Sequence, residues 1–187
     1  GAIACEELLI DASKAKNFFA NNLSSIVKLS SIIDPNILDQ LSKNNDLVLD
    51  CTWNTLLPCQ DFVYEPCVVL VYQSSLPSRI GLTFMDGPLF SLFPFSNNLY
   101  TLTHVSHTPL GRYTSPNEAN SVLNCVTETT ISHIRNLIES HVIQYFPSFH
   151  SFFTYKSHYT ALKTKQASSS CDDRNTFMSQ LGSNIYS

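Results

Sequence analysis

Apolar side chains recur at helical spacing between residues 11 and 23, where Ala12, Ala15, Phe18, Phe19 and Leu23 fall on one face behind Asp11, a good N-cap. A stronger helix is predicted over 128–146. Ile131, Ile134, Leu137, Ile138, Val142 and Tyr145 form one stripe, Thr127 or Thr129 can cap the start, Glu128 suits the first turn and Pro147 ends the helix. Elsewhere the pattern is that of strands. Residues 25–33 read as a short strand that Asp34-Pro35-Asn36 breaks. Residues 46–52 form a compact apolar run with polar ends, which predicts a strand buried on both faces, usually a parallel one. A longer strand is expected over 62–73, with Pro66 implying an edge or a bulge.

Ile80, Leu82 and Phe84 alternate up to a turn at Asp86-Gly87-Pro88. Residues 89–95 and 99–106 read as a hairpin around Ser96-Asn97-Asn98. Residues 152–163 alternate again, with Phe153, Tyr155, Tyr159 and Ala161 on one face, and a last short strand is expected near 174–181 before Gly182. The order predicts an α+β fold, with elements of α/β type: a mostly antiparallel sheet covered by helices on one face.

Composition narrows the function classes. The 187 residues suit one ordinary domain or one and a half small ones, and 43% hydrophobic against 14% charged residues is a globular balance. A net charge of -4, with eleven scattered basic residues, argues against nucleic acid. No stretch has the length of a membrane span, and the start at Gly1 carries neither a signal peptide nor an initiator Met, so the chain is expected to be a cytoplasmic piece of something longer. Of six cysteines, none forms a C-x-x-C pair; free, buried thiols are expected.

Chemistry is sparse in local motifs. The five glycines, Gly1, Gly81, Gly87, Gly111 and Gly182, spell neither G-x-G-x-x-G nor a P-loop. His104 and His107, three apart on an expected strand, should face opposite sides, and His133, His141, His150 and His158 have no ligand-like spacing, so no metal is expected. No G-x-S-x-G elbow favours a nucleophile, and no catalytic residue is assigned. Arg174 follows Cys171-Asp172-Asp173 and is either a surface cation paired with those aspartates or an anchor for a carboxylate. Phe90, Phe93, Phe95, Tyr100, Tyr155 and Tyr159 suit a core, and equally a wall for a flat ring or an apolar substrate.

Four stretches in order resemble the FAD-dependent oxidoreductases of the D-amino-acid-oxidase (DAO) type. They are Glu7-Leu8-Leu9-Ile10-Asp11 with its helix; the 46–54 run ending Cys51-Thr52-Trp53-Asn54; Met85-Asp86-Gly87-Pro88-Leu89-Phe90-Ser91-Leu92-Phe93-Pro94-Phe95 continuing through 99–105 to Thr108-Pro109; and Asp172-Asp173-Arg174 with Leu181-Gly182-Ser183-Asn184-Ile185. The resemblance covers nearly the whole chain, and its third stretch is the specific one. It implies a FAD-domain remnant at 1–54, a substrate-domain sheet and long helix at 55–165, and a closing strand and flavin-side turn at 166–187. It implies FAD as cofactor, a small-molecule substrate (amine, amino acid or hydroxy acid), substrate contacts from Arg174 and Tyr100, and flavin contacts from Gly182, Ser183 and Asn184. Asn175 stands where Pro commonly follows the Arg, and Asn184 where Lys is common. The glycine motif that holds the ADP half of FAD is missing. The rival readings are an interaction domain that kept the fold and lost the flavin, and a plain structural α+β domain.

Overall fold

The structure, a computed structural model, describes residues 4, 10–52, 56, 62–84, 87, 89–167 and 178–186. The elements are α1 (Ala12–Leu23), α2 (Pro35–Asn44), β1 (Val48–Leu49), β2 (Phe62–Ser74), β3 (Leu82–Thr83), β4 (Phe90–Ser96), β5 (Leu99–His104), α3 (Pro116–Asn124), α4 (Glu128–Tyr145), α5 (Phe149–Phe152), β6 (Phe153–Gln166) and β7 (Ile185–Tyr186). The fold is α+β, as expected, with a five-stranded sheet in the order β3-β4-β5-β2-β6 and a two-stranded sheet of β1 and β7. The chain divides into two compact units. One comprises residues 1–27, 68–109 and 126–161; the other comprises 28–67, 110–125 and 162–187.

The first unit is organised by β5. Antiparallel pairing sets Leu102 between Leu70 of β2 and Leu92 of β4, and His104 opposite Phe90. Because directly paired residues share a face, Leu70, Tyr72, Phe90, Leu92, Tyr100, Leu102 and His104 line one side of the sheet, and all are buried. The β4–β5 hairpin turns at Asn97, which adopts φ +46, a left-handed conformation that asparagine tolerates. Helix α4 lies on this face. Thr127 Oγ1 accepts from the Thr130 N–H, and Ile131, Ile134, Ile138 and Val142 are buried as the stripe predicts. Tyr145 leaves the stripe: it is largely exposed, with its ring against Phe84 and Phe90. Helix α1 begins after Asp11, whose carboxylate accepts from the N–H groups of Ser13 and Lys14, but its apolar face remains open, with Phe18 and Phe19 exposed.

The expected strand at 25–33 does not form. Residues 24–26 make a turn, Ser30 takes φ +56, and Ile26, Leu29 and Ile32 are exposed. The apolar residues there, Ile26-Val27, Leu29 and Ile32-Ile33, do not keep a period of two, so no single face could be buried. Asp34-Pro35, read from sequence as a breaker, starts α2: Asp34 Oδ1 accepts from the Ile37 N–H at 2.9 Å, and Pro35 occupies the first turn, where its missing N–H costs nothing. Ser115-Pro116 opens α3 in the same way, with Ser115 Oγ accepting from the Glu118 N–H.

In the second unit β1 and β7 run parallel, with Val48 opposite Ile185 and Leu49 opposite Tyr186. The parallel pairing is as expected, but the expected burial on both faces is not found: Leu47 and Leu49 are more than half exposed. The strand expected near 174–181 falls partly on 174–177, outside the described residues, and Gln180 makes only an isolated bridge to Tyr186. The bulge implied by Pro66 lies opposite it. Tyr64 exchanges both backbone hydrogen bonds with Tyr113, and the Pro66 carbonyl accepts from Leu110. Two residue steps from 64 to 66 therefore face three from 113 to 110, and Gly111, at φ +155, absorbs the extra residue. β2 is not an edge, since β5 and β6 flank it. Glu65, buried, meets Lys165 at 2.7 Å. Among the described cysteines, Cys51, Cys67 and Cys125 are free and only Cys67 is buried; Cys5, Cys59 and Cys171 lie outside the described residues. No described helix is long and apolar enough to cross a membrane.

Ile138 is fully buried on the α4 stripe, so Ile138→Ala should lower unfolding stability by about 2–5 kcal/mol. Asp34→Ala should cost about 1 kcal/mol. Urea unfolding of the two variants checks both values.

Candidate functional site

Arg174 lies outside the described residues. Tyr100 sits in the core of the first unit. Its ring meets Phe153 edge-on at 5.1 Å, and its hydroxyl accepts from the Ile80 N–H at 3.1 Å. Gly182, Ser183 and Asn184 form a bend ahead of β7, closed by the Leu181 and Gly182 N–H groups donating to the Ile185 carbonyl.

Asn184 ties this bend to α2. Its Nδ2 donates to the Ser42 and Asn45 carbonyls at 2.8 and 2.7 Å, and its Oδ1 accepts from Ser42 Oγ at 3.0 Å. The last carbonyls of a helix lack intrahelical partners, so the Asn184 amide satisfies the end of α2 while the Asn184 carbonyl accepts from Val48 of β1. A Lys at this position would supply donors but no acceptor for the Ser42 hydroxyl.

The structure also assembles a group that sequence reasoning missed. Strand β5 ends at His104, and residues 105–107 form a turn, so the period-two argument no longer applies to His107. Instead of facing opposite sides, the two rings lie 4.4 Å apart. The turn is stapled: the His104 N–H donates to Thr108 Oγ1 at 2.8 Å and the Thr108 N–H donates to the His104 carbonyl at 3.0 Å. From α4, His141 approaches His104 with Nδ1 2.9 Å from Nε2, and its ring is 5.4 Å from that of His107. The Ser106 N–H donates to His104 Nδ1 at 3.0 Å. This leaves the proton of a neutral His104 on Nε2, where it is donated to His141 Nδ1. The signals were present but indirect. His104 continues the buried face of Tyr100 and Leu102, and His141 stands three residues beyond Ile138 on the α4 stripe.

His104 is buried, and that burial, with His107 and His141 adding to it, pushes its pKa down to about 4. His107 is also lowered, first by burial and then by His141 and His133. Deeper under α4, Tyr72 donates its hydroxyl to Glu139 at 2.6 Å, and Arg135 sits 4.8 Å over the Tyr155 ring. Burial, then the bond to Glu139, raises the Tyr72 pKa, which keeps the hydroxyl a donor.

Two measurements follow from this geometry. Asn184→Ala strands two carbonyls and a hydroxyl and should cost about 1–3 kcal/mol; faster hydrogen exchange at the Val48 and Asp50 amides would report it. The unfolded chain takes a proton on His104 near pH 6.5, before the folded chain does near 4. Stability should therefore fall as pH drops through that window, by on the order of 3 kcal/mol. His104→Gln should flatten this part of the pH profile in urea unfolding.

No protein-family model matches the chain, and no solved structure matches it. Curated proteins do match. The chain is 31% identical to the FAD-dependent monooxygenase FPY4 of Fusarium mangiferae, over 97% of its own length and 51% of that protein. It is 28% identical to the FAD-dependent monooxygenase kojA of Aspergillus flavus over 59% of its length and 30% of that protein, and the probable kojA of Aspergillus oryzae matches equally. The chain thus spans about half the length of FPY4 and under a third of the kojA proteins; FAD dependence is a property of those relatives.

Proposed function

We propose that the chain is the substrate-side part of a FAD-dependent oxidoreductase of the D-amino-acid-oxidase type, acting on an amine, an amino acid or a hydroxy acid. The identity to FPY4 along almost the whole chain supports the FAD-dependent oxidoreductase; the D-amino-acid-oxidase type and its substrates rest on the resemblance of the 85–109 and 172–185 stretches. The residues present do not by themselves fit the whole cofactor: none of the five glycines belongs to a G-x-G-x-x-G cradle, so groups outside this chain would hold the FAD pyrophosphate. Hydride acceptance would be the chemistry a bound flavin supplies, and the protein's share would be to bind and orient the substrate and exclude water. In that division of labour Arg174 takes the substrate carboxylate with its two-pronged guanidinium. By the same resemblance, Tyr100 would face the substrate, and Gly182, Ser183 and Asn184 would be the residues that hold the flavin ring. The partner is a small molecule, and the free thiols of Cys51, Cys67 and Cys125 support a reducing, cytoplasmic setting.

The names of the relatives favour a second outcome within the same class. A monooxygenase places one atom of O2 in the product and reduces the other to water, whereas an oxidase returns both as hydrogen peroxide. A binding domain without flavin is favoured by Asn184, whose amide is spent on α2.

A longer form that also carries a pyrophosphate-binding part should quench flavin fluorescence at micromolar protein; no quenching by that folded form favours the binding domain. In an active full-length form Arg174→Ala should raise KM for carboxylate substrates roughly 10–100-fold, and an unchanged KM removes Arg174 from the site. Turnover under labelled O2 separates the two chemistries by whether the product gains label.

A further inference from the structure

We propose that His104, His107 and His141 form a binding site for a divalent transition-metal ion such as zinc, cobalt or nickel. One ligand nitrogen from each ring lies within 4.8 Å of the others. Zinc bonds imidazole nitrogen at about 2.0–2.1 Å, so two imidazoles on one ion hold their nitrogens roughly 2.9–3.4 Å apart and their ring centres roughly 4.5–5.2 Å apart. The three ring separations here are 4.4, 4.9 and 5.4 Å, and His104 Nε2 stands 2.9 Å from His141 Nδ1. His107 is the ring that must close in, and it sits on a turn and is only half-buried.

The proton bookkeeping is simple. The ion takes the place of the His104 Nε2 proton, which moves to Nδ1 of the same ring, so no proton need be released. Ser106 then withdraws its N–H from Nδ1; the residue is exposed, so water can accept that bond. Neutral imidazoles are the form a metal needs. His107 and His141 are both half-buried, which leaves a fourth position for water or a small anion. Imidazole ligands without thiolate or carboxylate select the borderline ions over magnesium or calcium. The site lies within the first unit and does not depend on the proposed flavin chemistry.

The test uses the purified 187-residue chain, stripped with a chelator and dialysed. It is titrated with zinc chloride by calorimetry and with cobalt chloride by visible absorption. One ion per chain is expected, with the intense visible bands of four-coordinate cobalt. His107→Ala and His141→Ala should each weaken binding at least about 10–100-fold, while His133→Ala and His150→Ala should leave it unchanged. Both ligand substitutions are at half-buried positions, and circular dichroism of each variant confirms that it is folded, so the test does not rest on replacing the buried His104. The Ser106 amide resonance should shift when zinc binds. The proposal is overturned by no binding of either ion, by undiminished binding to the His107→Ala/His141→Ala double variant, or by a bound ion that leaves the Ser106 amide unmoved.

Discussion

Strand β5 is hydrogen-bonded to β4 on one side and to β2 on the other, and its register determines which side chains meet α4. A strand has a period of two, so a slip of one residue would turn Tyr100, Leu102 and His104 to the opposite face together. The hairpin turn at Asn97 and the bond from the Ser74 N–H to the Asn98 carbonyl hold the register from one end. The staple between His104 and Thr108 holds it from the other. Core packing and histidine geometry are therefore consequences of the same alignment. Leu102 and Ile138 contribute apolar burial, while His104 continues that face with a polar ring that has found partners at both nitrogens.

The parts of the fold that sequence reveals are those whose cause is local. Helix α4 announces itself by a stripe, a threonine cap and a following proline; the β4–β5 hairpin by alternation around Asn97-Asn98; β6 by alternation alone. Helices α2 and α3 were hidden because Asp34-Pro35 and Ser115-Pro116 have two meanings. The same dipeptide that breaks a strand also caps a helix, and only the apolar spacing beyond it decides. The exposed segment after α1 was misread for the opposite reason, since apolar residues drew attention where no periodic face exists.

The candidate sites divide along the same line. His104 and His107 are close in sequence, but the relevant fact is where the strand stops, and strand ends are poorly marked. His141 is 37 residues from His104 and meets it only because α4 crosses that end of β5. Resemblance pointed to Asn184 as a departure from a lysine, yet it could not foretell partners 142 and 139 residues away. A fold of this kind can host several chemistries. For a flavin-dependent reaction the cofactor carries the hard step, so few protein groups need to announce themselves in sequence.

The Asn184 junction also makes the two sides of one contact unequal in evolution. Its amide donates to main-chain carbonyls of residues 42 and 45, which every amino acid supplies. Drift at position 45 can therefore pass without loss of that link, and drift at position 42 forfeits only the hydroxyl bond. Position 184 has no such latitude, because a single short amide must donate twice and accept once. A lineage could rewrite the end of α2 freely while the opposite residue stays tied to its carboxamide.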